Sequence, residues 1–179
     1  MPKFTTISPT CLAGGNPDAW KLFRDGNYAA IGWCYKHDLT GLAIDDIRQL
    51  VQQIPENACD ESDVQDGLNS SPVFWELCER GSNGEGDIIA VKNNRHGLFG
   101  VGVVTSGYKY DESKHETGVA GHVYPHYVEV NWVHTDYIAS DSLDFNSDSM
   151  WKPYGTMGQM FDEVPDYILP YLNGVAERA

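Results

Sequence analysis

Three strand-like segments in the second half of the chain constrain the fold most strongly. Residues 87–92 and 98–105 are rich in Ile and Val, and the short polar segment 93–97 between them predicts a hairpin. Residues 127–133 alternate apolar and polar side chains, which is typical of a strand with one buried face. Because strands joined by short loops pair in opposite directions, these segments predict a mainly antiparallel sheet.

Helical patterns dominate the first half of the chain. Asn16 and Pro17 predict a helix start, with Asn16 as the N-cap and Pro17 in the first helical position. The acidic residues 56–69 have no apolar period and predict an exposed loop, and Ser71–Pro72 predicts the next helix start. The predicted elements are strands at 3–7 and 28–31, helices at 17–24, 44–53 and 71–81, and a final helix within 157–172 that Pro165 and Pro170 disturb. Together these elements predict an α+β fold, with a curved, mainly antiparallel sheet or partial barrel and helices packed outside it.

Two glycines interrupt the second strand of the predicted hairpin. Gly100 and Gly102 alternate with Val101 and Val103. Glycines at alternate positions leave one face of a strand bare, so we expect a helix or a ligand to pack closely there.

Length and composition limit the class of protein. A chain of 179 residues predicts one domain with a sizeable core. No run of about 18 apolar residues predicts a membrane span, and the N-terminal residues lack the apolar core of a signal peptide. We therefore expect a cytoplasmic protein without a membrane partner. The four cysteines form no CxxC pair, which argues against a zinc knuckle or a redox dithiol; they are Cys11, Cys34, Cys59 and Cys78.

The net charge of −14, from 26 acidic and 12 basic residues, is the most unusual bulk property. Proteins that bind nucleic acid through its phosphates usually carry a basic face. Either this chain binds no nucleic acid, or its acidity is an adaptation to a high-salt, halophilic cytoplasm. In molar salt the Debye length is about 3 Å, so repulsion from nucleic acid is screened and recognition depends on stacking and hydrogen bonds.

Three kinds of reactive site receive little support from the sequence. His115, His122 and His126 are spaced as a metal site could be, but solvated loop histidines explain them equally well and no HExxH motif is present. Cys34 and His37 could form a nucleophilic pair, although such residues usually meet across a fold. The glycines of 97–102 lie within a strand, which argues against a phosphate-binding loop. We therefore predict no metal, no cofactor and no catalytic residue.

Aromatic residues near the ends of predicted elements are the better indication of function. Trp33 follows Gly32 at the end of an apolar strand, where a flat ring can stack on a planar ligand. The alternative is that Trp33 belongs to the core, as most large aromatic side chains do. An extruded base needs two or three aromatic walls and a few polar groups for its edge.

Six segments, in order, resemble an EVE domain, a member of the PUA-like superfamily related to YTH domains. They are Trp20-x-x-Phe23, 30–33 (Ala-Ile-Gly-Trp), 74–77 (Phe-Trp-Glu-Leu), 86–91, 100–111 and 127–132. The resemblance is nearest to the N-terminal modules of McrB-like, modification-dependent restriction GTPases. It covers about residues 2–135, so we predict an EVE/PUA-like domain at 1–135. Residues 136–179 form a C-terminal extension with a helix, packed on the same domain.

The resemblance implies a pocket for a flipped-out modified base, either N6-methyladenine or a modified cytosine. Trp33 matches the tryptophan that forms one cage wall in YTH domains, and Asn16 matches the polar residue that reads the base edge. Where YTH domains supply a second tryptophan, this chain offers Tyr108, Tyr124 or His126. The predicted base-binding residues are Trp33, Asn16, Cys34, Tyr108, Tyr124 and Trp132, the predicted phosphate contacts are Lys36, Arg95 and Lys109, and Trp20 and Trp75 are assigned to core packing.

We therefore predict a non-catalytic reader of modified bases, with DNA favoured over RNA, that serves as the recognition module of a restriction or defence system. The sequence has no P-loop, so a GTPase activity would reside in a partner GTPase or nuclease, or in a fused motor domain. The alternatives are a PUA-like hydrolase of small amides or nucleosides that uses Cys34 or a histidine, and a protein-interaction module with an aromatic groove.

Overall fold

The computed structural model describes residues 1–9, 17–34, 36–53, 61–93, 96–113, 124–143 and 157–172. In these residues the helices are α1 (Pro17–Gly26), α2 (Ile44–Gln53) and α3 (Glu61–Ser82), with 3-10 turns at Ser140–Ser142 and Leu169–Leu172. The strands are β1 (Phe4–Ile7), β2 (Tyr28–Ile31), β3 (Ile88–Lys92), β4 (Gly97–Val104), β5 (Lys109–Tyr110), β6 (His126–His134) and β7 (Ile138–Ala139).

The described strands form one mixed, curved sheet in the order β1-β3-β4-β6-β2, with β5 paired to β6 and β7 paired to β4. β1 pairs with β3 in parallel, and every other pairing is antiparallel. The sheet is a half-barrel against which the three α-helices pack. The predicted α+β class and the mainly antiparallel sheet are therefore confirmed.

Alternation along β3 places apolar side chains on both faces of the sheet. Ile89 and Val91 join the larger core cluster, together with residues of α1, α2 and α3. Ile88 and Ala90 join a second cluster, in which Ile168 and other residues of the C-terminal segment cover the opposite face. The near-continuous apolar run of β3 is thus explained by burial on both sides.

Aromatic rings occupy the space that the glycines of β4 leave open. A Cβ atom added to Gly100 would lie 2.7 Å from Cζ2 of Trp20 on α1, and one added to Gly102 would lie 2.7 Å from Cε3 of Trp132 on β6. The predicted close packing is confirmed, and the packing groups are protein side chains.

Helix α3 corrects the prediction of an exposed loop at 56–69, because the helix begins at Glu61 and contains Pro72 in its interior. Proline removes one helical hydrogen bond, so Ser71–Pro72 resembled a helix start. The Ser71 hydroxyl donates a hydrogen bond to the Gly67 carbonyl one turn earlier, which adds a bond beside the interruption.

The C-terminal segment corrects the prediction of a final helix within 157–172. Met157 and Phe161 bridge to β1 instead, and the N–H groups of Gly158 and Phe161 donate to the carbonyls of Thr6 and Phe4. Only Leu169–Leu172 is helical, as a 3-10 turn. The segment satisfies the exposed edge of β1, and its two prolines cannot support a continuous helix.

None of the helices in the described residues is long and apolar enough to cross a membrane.

Candidate functional site

Trp33 lies just beyond β2, in the loop of residues 32–39, and packs on α3. A Cβ atom added to Gly67 would lie 3.1 Å from Cδ1 and 3.2 Å from Nε1 of Trp33, and 2.9 Å from Cγ1 of Val51. Glycine therefore permits the close contact between helix and indole edge. The side chain is 9% exposed and belongs to the larger core cluster.

The next residue, Cys34, turns the chain sharply. Its φ angle is +56°, in the left-handed region that costs a non-glycine residue roughly 1–2 kcal/mol. The Cys34 carbonyl accepts the His37 N–H at 2.8 Å, which closes a tight turn directly after Trp33. The thiol is buried. A strained turn of this kind persists only where its surroundings hold it.

The imidazole of His126, at the start of β6, holds this turn. The ring is 0% exposed, and its Nε2 lies 3.1 Å from the Cys34 carbonyl oxygen. Because a carbonyl oxygen can only accept, Nε2 carries the proton and Nδ1 is the acceptor. The Tyr108 hydroxyl, 2.9 Å from Nδ1, therefore donates to it.

The same hydroxyl extends the network to the far end of the loop. The Leu39 N–H donates to the Tyr108 Oη at 3.0 Å. A carboxylate oxygen of Asp38 lies at 3.4 Å from Oη, but the hydroxyl has one proton and the shorter contact is with His126. Residues 34 and 39 are thus both tied to the sheet through two buried side chains.

Burial keeps this network uncharged. It lowers the pKa of His126 to about 4, so the imidazole is neutral at physiological pH. Burial also raises the pKa of Tyr108, which stays protonated. The pKa of the Asp38 carboxyl is lowered, first by a hydrogen bond from the Thr40 hydroxyl, so a negative charge lies beside the neutral network.

Aromatic rings surround His126. The centroid of Tyr108 lies 6.0 Å from the imidazole, that of Tyr110 lies 5.3 Å from it, and Trp75 lies 5.4 Å from Tyr108. All three aromatic side chains are half-buried. We call Trp75, Tyr108, Tyr110 and His126 the aromatic cluster. Trp75, which the sequence assigned to core packing, also contacts the larger core cluster.

Two predicted base-binding residues pack beside α1. The Trp132 Nε1–H donates to the Phe23 carbonyl at 2.9 Å, and its ring meets Trp20 edge to face at 4.9 Å. Tyr124 is buried, donates to the Pro9 carbonyl at 3.2 Å and meets Phe23 edge to face. Trp20 is a core residue, as predicted. The structure brings Trp33, Cys34 and Tyr108 together around one loop.

The predicted phosphate contacts have different surroundings. Lys109 Nζ lies 2.6 Å from the Glu129 carboxylate, in an ion pair near the protein surface, and Lys36 is exposed in the Trp33 loop. Asn16 and Arg95 lie outside the described residues.

The described residues include no cluster of three or more His, Cys, Asp or Glu side chains that could hold a metal ion. His115 and His122 lie outside them. His126 bonds the Cys34 backbone carbonyl, a contact that serves the turn and not the chemistry of a thiol nucleophile.

Sequence reasoning missed the structural role of His126. The available signal was its place at the start of a strongly alternating strand, where a polar side chain of that parity must be buried and hydrogen-bonded.

The described residues define an α+β half-barrel domain whose tryptophan-bearing loop is fastened to the sheet by buried hydrogen bonds. Residues 10–153 match the model of a family described as a domain of unknown function (DUF8426), and the chain belongs to this family. Among solved structures, it is similar to the YTH domain of the Zygosaccharomyces rouxii MRB1 protein in complex with N6-methyladenosine RNA. That similarity has 13% identity and a TM-score of 0.45, and it covers 99% of this chain and 88% of that chain. No curated protein matches the sequence.

Proposed function

We propose that this protein is a non-catalytic reader of a modified base, which it binds flipped out of the nucleic acid and stacked on Trp33. One observation carries the proposal: the loop that bears Trp33 is fixed at residues 34 and 39 by the His126–Tyr108 network. A loop that is already ordered loses little conformational entropy when a ligand binds. The contact with Gly67 involves the Cδ1–Nε1 edge of the indole, whereas a base stacks on a ring face.

The chemistry of the loop suits an uncharged planar ligand. The network behind it is neutral, and the aromatic cluster lies directly beside it. Each stacking contact contributes about 1–3 kcal/mol and tolerates any base. Burial of one methyl group adds about 0.8 kcal/mol, so selectivity for a methylated base requires hydrogen bonds to the base edge as well.

The EVE-like order of sequence motifs supports N6-methyladenine or a modified cytosine as the ligand, in DNA in preference to RNA. On this proposal the protein is cytoplasmic and acts as the recognition module of a restriction or defence system, beside a GTPase or nuclease partner or a fused motor domain. The net charge of −14 suits a reader that works at high salt, where stacking outweighs phosphate attraction.

A panel of short oligonucleotides tests this proposal. Each sequence is made as DNA and as RNA, unmodified or with one N6-methyladenine or one 5-methylcytosine, and tryptophan quenching is followed at low and at molar salt. We expect at least about tenfold tighter binding to one modification, with a salt dependence weaker than that of a phosphate-binding protein.

Equal affinity for modified and unmodified oligonucleotides, or no binding to any of them, would overturn the proposal. Turnover of a free modified nucleoside by the protein would instead establish a hydrolase.

A further inference from the structure

Lys92, the last residue of β3, is buried in an unusual way. It is 3% exposed, although lysine is almost never fully buried unless its charge is paired. The β3–β4 register shifts between Val91 and Lys92, which interrupts the alternation of the strand. Such a bulge re-aims a side chain and is common beside binding sites.

The Lys92 ammonium makes no hydrogen bond or ion pair with any residue that the structure describes. Burial lowers its pKa, and the charge that opposes this effect is that of Asp66 on α3. A buried ammonium without an acceptor is costly, so a chain that keeps one needs a use for it.

Lys92 and Trp33 face the same turn of α3. Asp66, the charge that acts on Lys92, directly precedes Gly67, and Gly67 is the glycine on which the Trp33 indole packs. Asp66 also accepts a hydrogen bond from the Ser70 hydroxyl at 3.1 Å, one turn further along the helix. The end of β3 and the Trp33 loop therefore converge on one helical turn.

We propose that Lys92 is a specificity-determining residue whose ammonium donates a hydrogen bond to a ring nitrogen or carbonyl oxygen on the edge of the base stacked on Trp33. This inference rests on the proposed function and deepens it, because it names the edge that the protein reads. The ligand supplies the acceptor that Lys92 lacks, and the bond forms in a buried site where charged hydrogen bonds are strong.

The test compares Lys92→Met with Lys21→Met in the full chain. Methionine nearly matches the length of the lysine stem without its charge, and Lys21 is an exposed lysine of α1, so both variants change the net charge equally. The ligands are the modified oligonucleotide that wild type selects and analogues in which one ring nitrogen of the modified base is replaced by CH.

We expect Lys92→Met to bind roughly 10- to 100-fold more weakly, as for a lost charged hydrogen bond, whereas Lys21→Met binds like wild type. One CH analogue should weaken wild-type binding and have little further effect on Lys92→Met, unless the acceptor is a carbonyl oxygen, in which case all CH analogues bind alike. Lys92→Met should also unfold at a higher urea concentration, because an apolar side chain replaces an unpaired buried charge. A purely structural lysine would show no such opposition between binding and stability.

The outcomes separate the two proposals. If wild type binds selectively and Lys92→Met keeps wild-type affinity, the Lys92 inference is overturned and the reader function stands. If wild type binds none of the oligonucleotides, the reader function fails and the inference fails with it.

Discussion

The Tyr108 hydroxyl and the His126 imidazole lie 2.9 Å apart and together bridge two ends of one loop. Tyr108 accepts the Leu39 N–H, while His126 donates to the Cys34 carbonyl. Neither side chain needs to touch a ligand to control binding, because the pair fixes the turn that follows Trp33. Loss of either side chain leaves buried polar groups unpaired, and such loss is costly in a region of low dielectric constant.

Tyr108→Phe removes only the hydroxyl, so its effect isolates this bridge. We expect a loss of about 1–3 kcal/mol in the free energy of unfolding, since the Leu39 N–H and His126 Nδ1 both lose a partner. Urea denaturation measures it. Tyr110→Phe is the matched control, because Tyr110 contacts His126 through its ring. Equal stability of Tyr108→Phe and wild type would contradict the assigned network.

The buried His126 should make stability depend on pH. Its pKa is about 4 in the folded protein and near 6.5 when unfolded, so the unfolded chain binds the extra proton between these values. Stability is therefore full above about pH 6.5 and falls as the pH drops toward 4, by up to about 1.4 kcal/mol per unit.

Urea midpoints of wild type and His126→Gln across this range isolate the contribution, since carboxylate effects are common to both proteins. The difference between the two should narrow as the pH falls. A constant difference would show that His126 is not the group that titrates.

Gly67→Ala tests the contact between α3 and the Trp33 indole. Alanine should favour the helix by up to about 1 kcal/mol, but its Cβ would lie 2.9 Å from Val51 and 3.1 Å from Trp33. We expect net destabilisation and a shift of tryptophan fluorescence as the ring moves. Gly84→Ala compares poorly because its φ is positive, so Ser82→Ala at the end of α3 is the better control. A more stable Gly67→Ala protein with an unchanged spectrum would contradict the packing.

Asp87 should anchor α3 to the sheet. Its fully buried carboxylate accepts two bonds from the Arg80 guanidinium, at 2.6 and 2.9 Å, and one from the Lys3 N–H at 2.8 Å. Asp87→Asn removes the charge at nearly constant volume, and we expect a loss of about 2–3 kcal/mol in unfolding free energy. Calorimetry measures this loss. An effect no larger than that of Asp25→Asn, in an exposed ion pair, would refute the anchor.

Local patterns predicted most of the elements, because alternation and helix-start signals act over a few residues. β2, α1, α2 and the β3–β4 hairpin fall where the patterns placed them. The start of α3 escaped prediction because its polar first half has no apolar period and Pro72 imitated a helix start. The C-terminal segment escaped because its backbone pairs with β1, at the other end of the chain.

The site was only partly accessible to sequence reasoning for the same reason. Trp33 stands out because a glycine and a strand end mark it locally. The network that holds it joins residues 34, 39, 108 and 126, which only the sheet brings together. The burial of Lys92 depends on a register shift and on α3, and neither leaves a mark in the local sequence.

The most direct test of the central claim is the affinity for the selected modified oligonucleotide in two Trp33 variants. Trp33 is largely buried, so Trp33→Phe and Trp33→Leu fill the site better than alanine. Trp20→Phe serves as the control, since Trp20 packs in the core beside α1. All proteins are first confirmed as folded by circular dichroism.

If a base stacks on Trp33, Trp33→Phe keeps part of the affinity, Trp33→Leu loses about tenfold or more, and Trp20→Phe binds like wild type. Equal affinity of Trp33→Leu and wild type would show that Trp33 is only a core residue and would contradict the account.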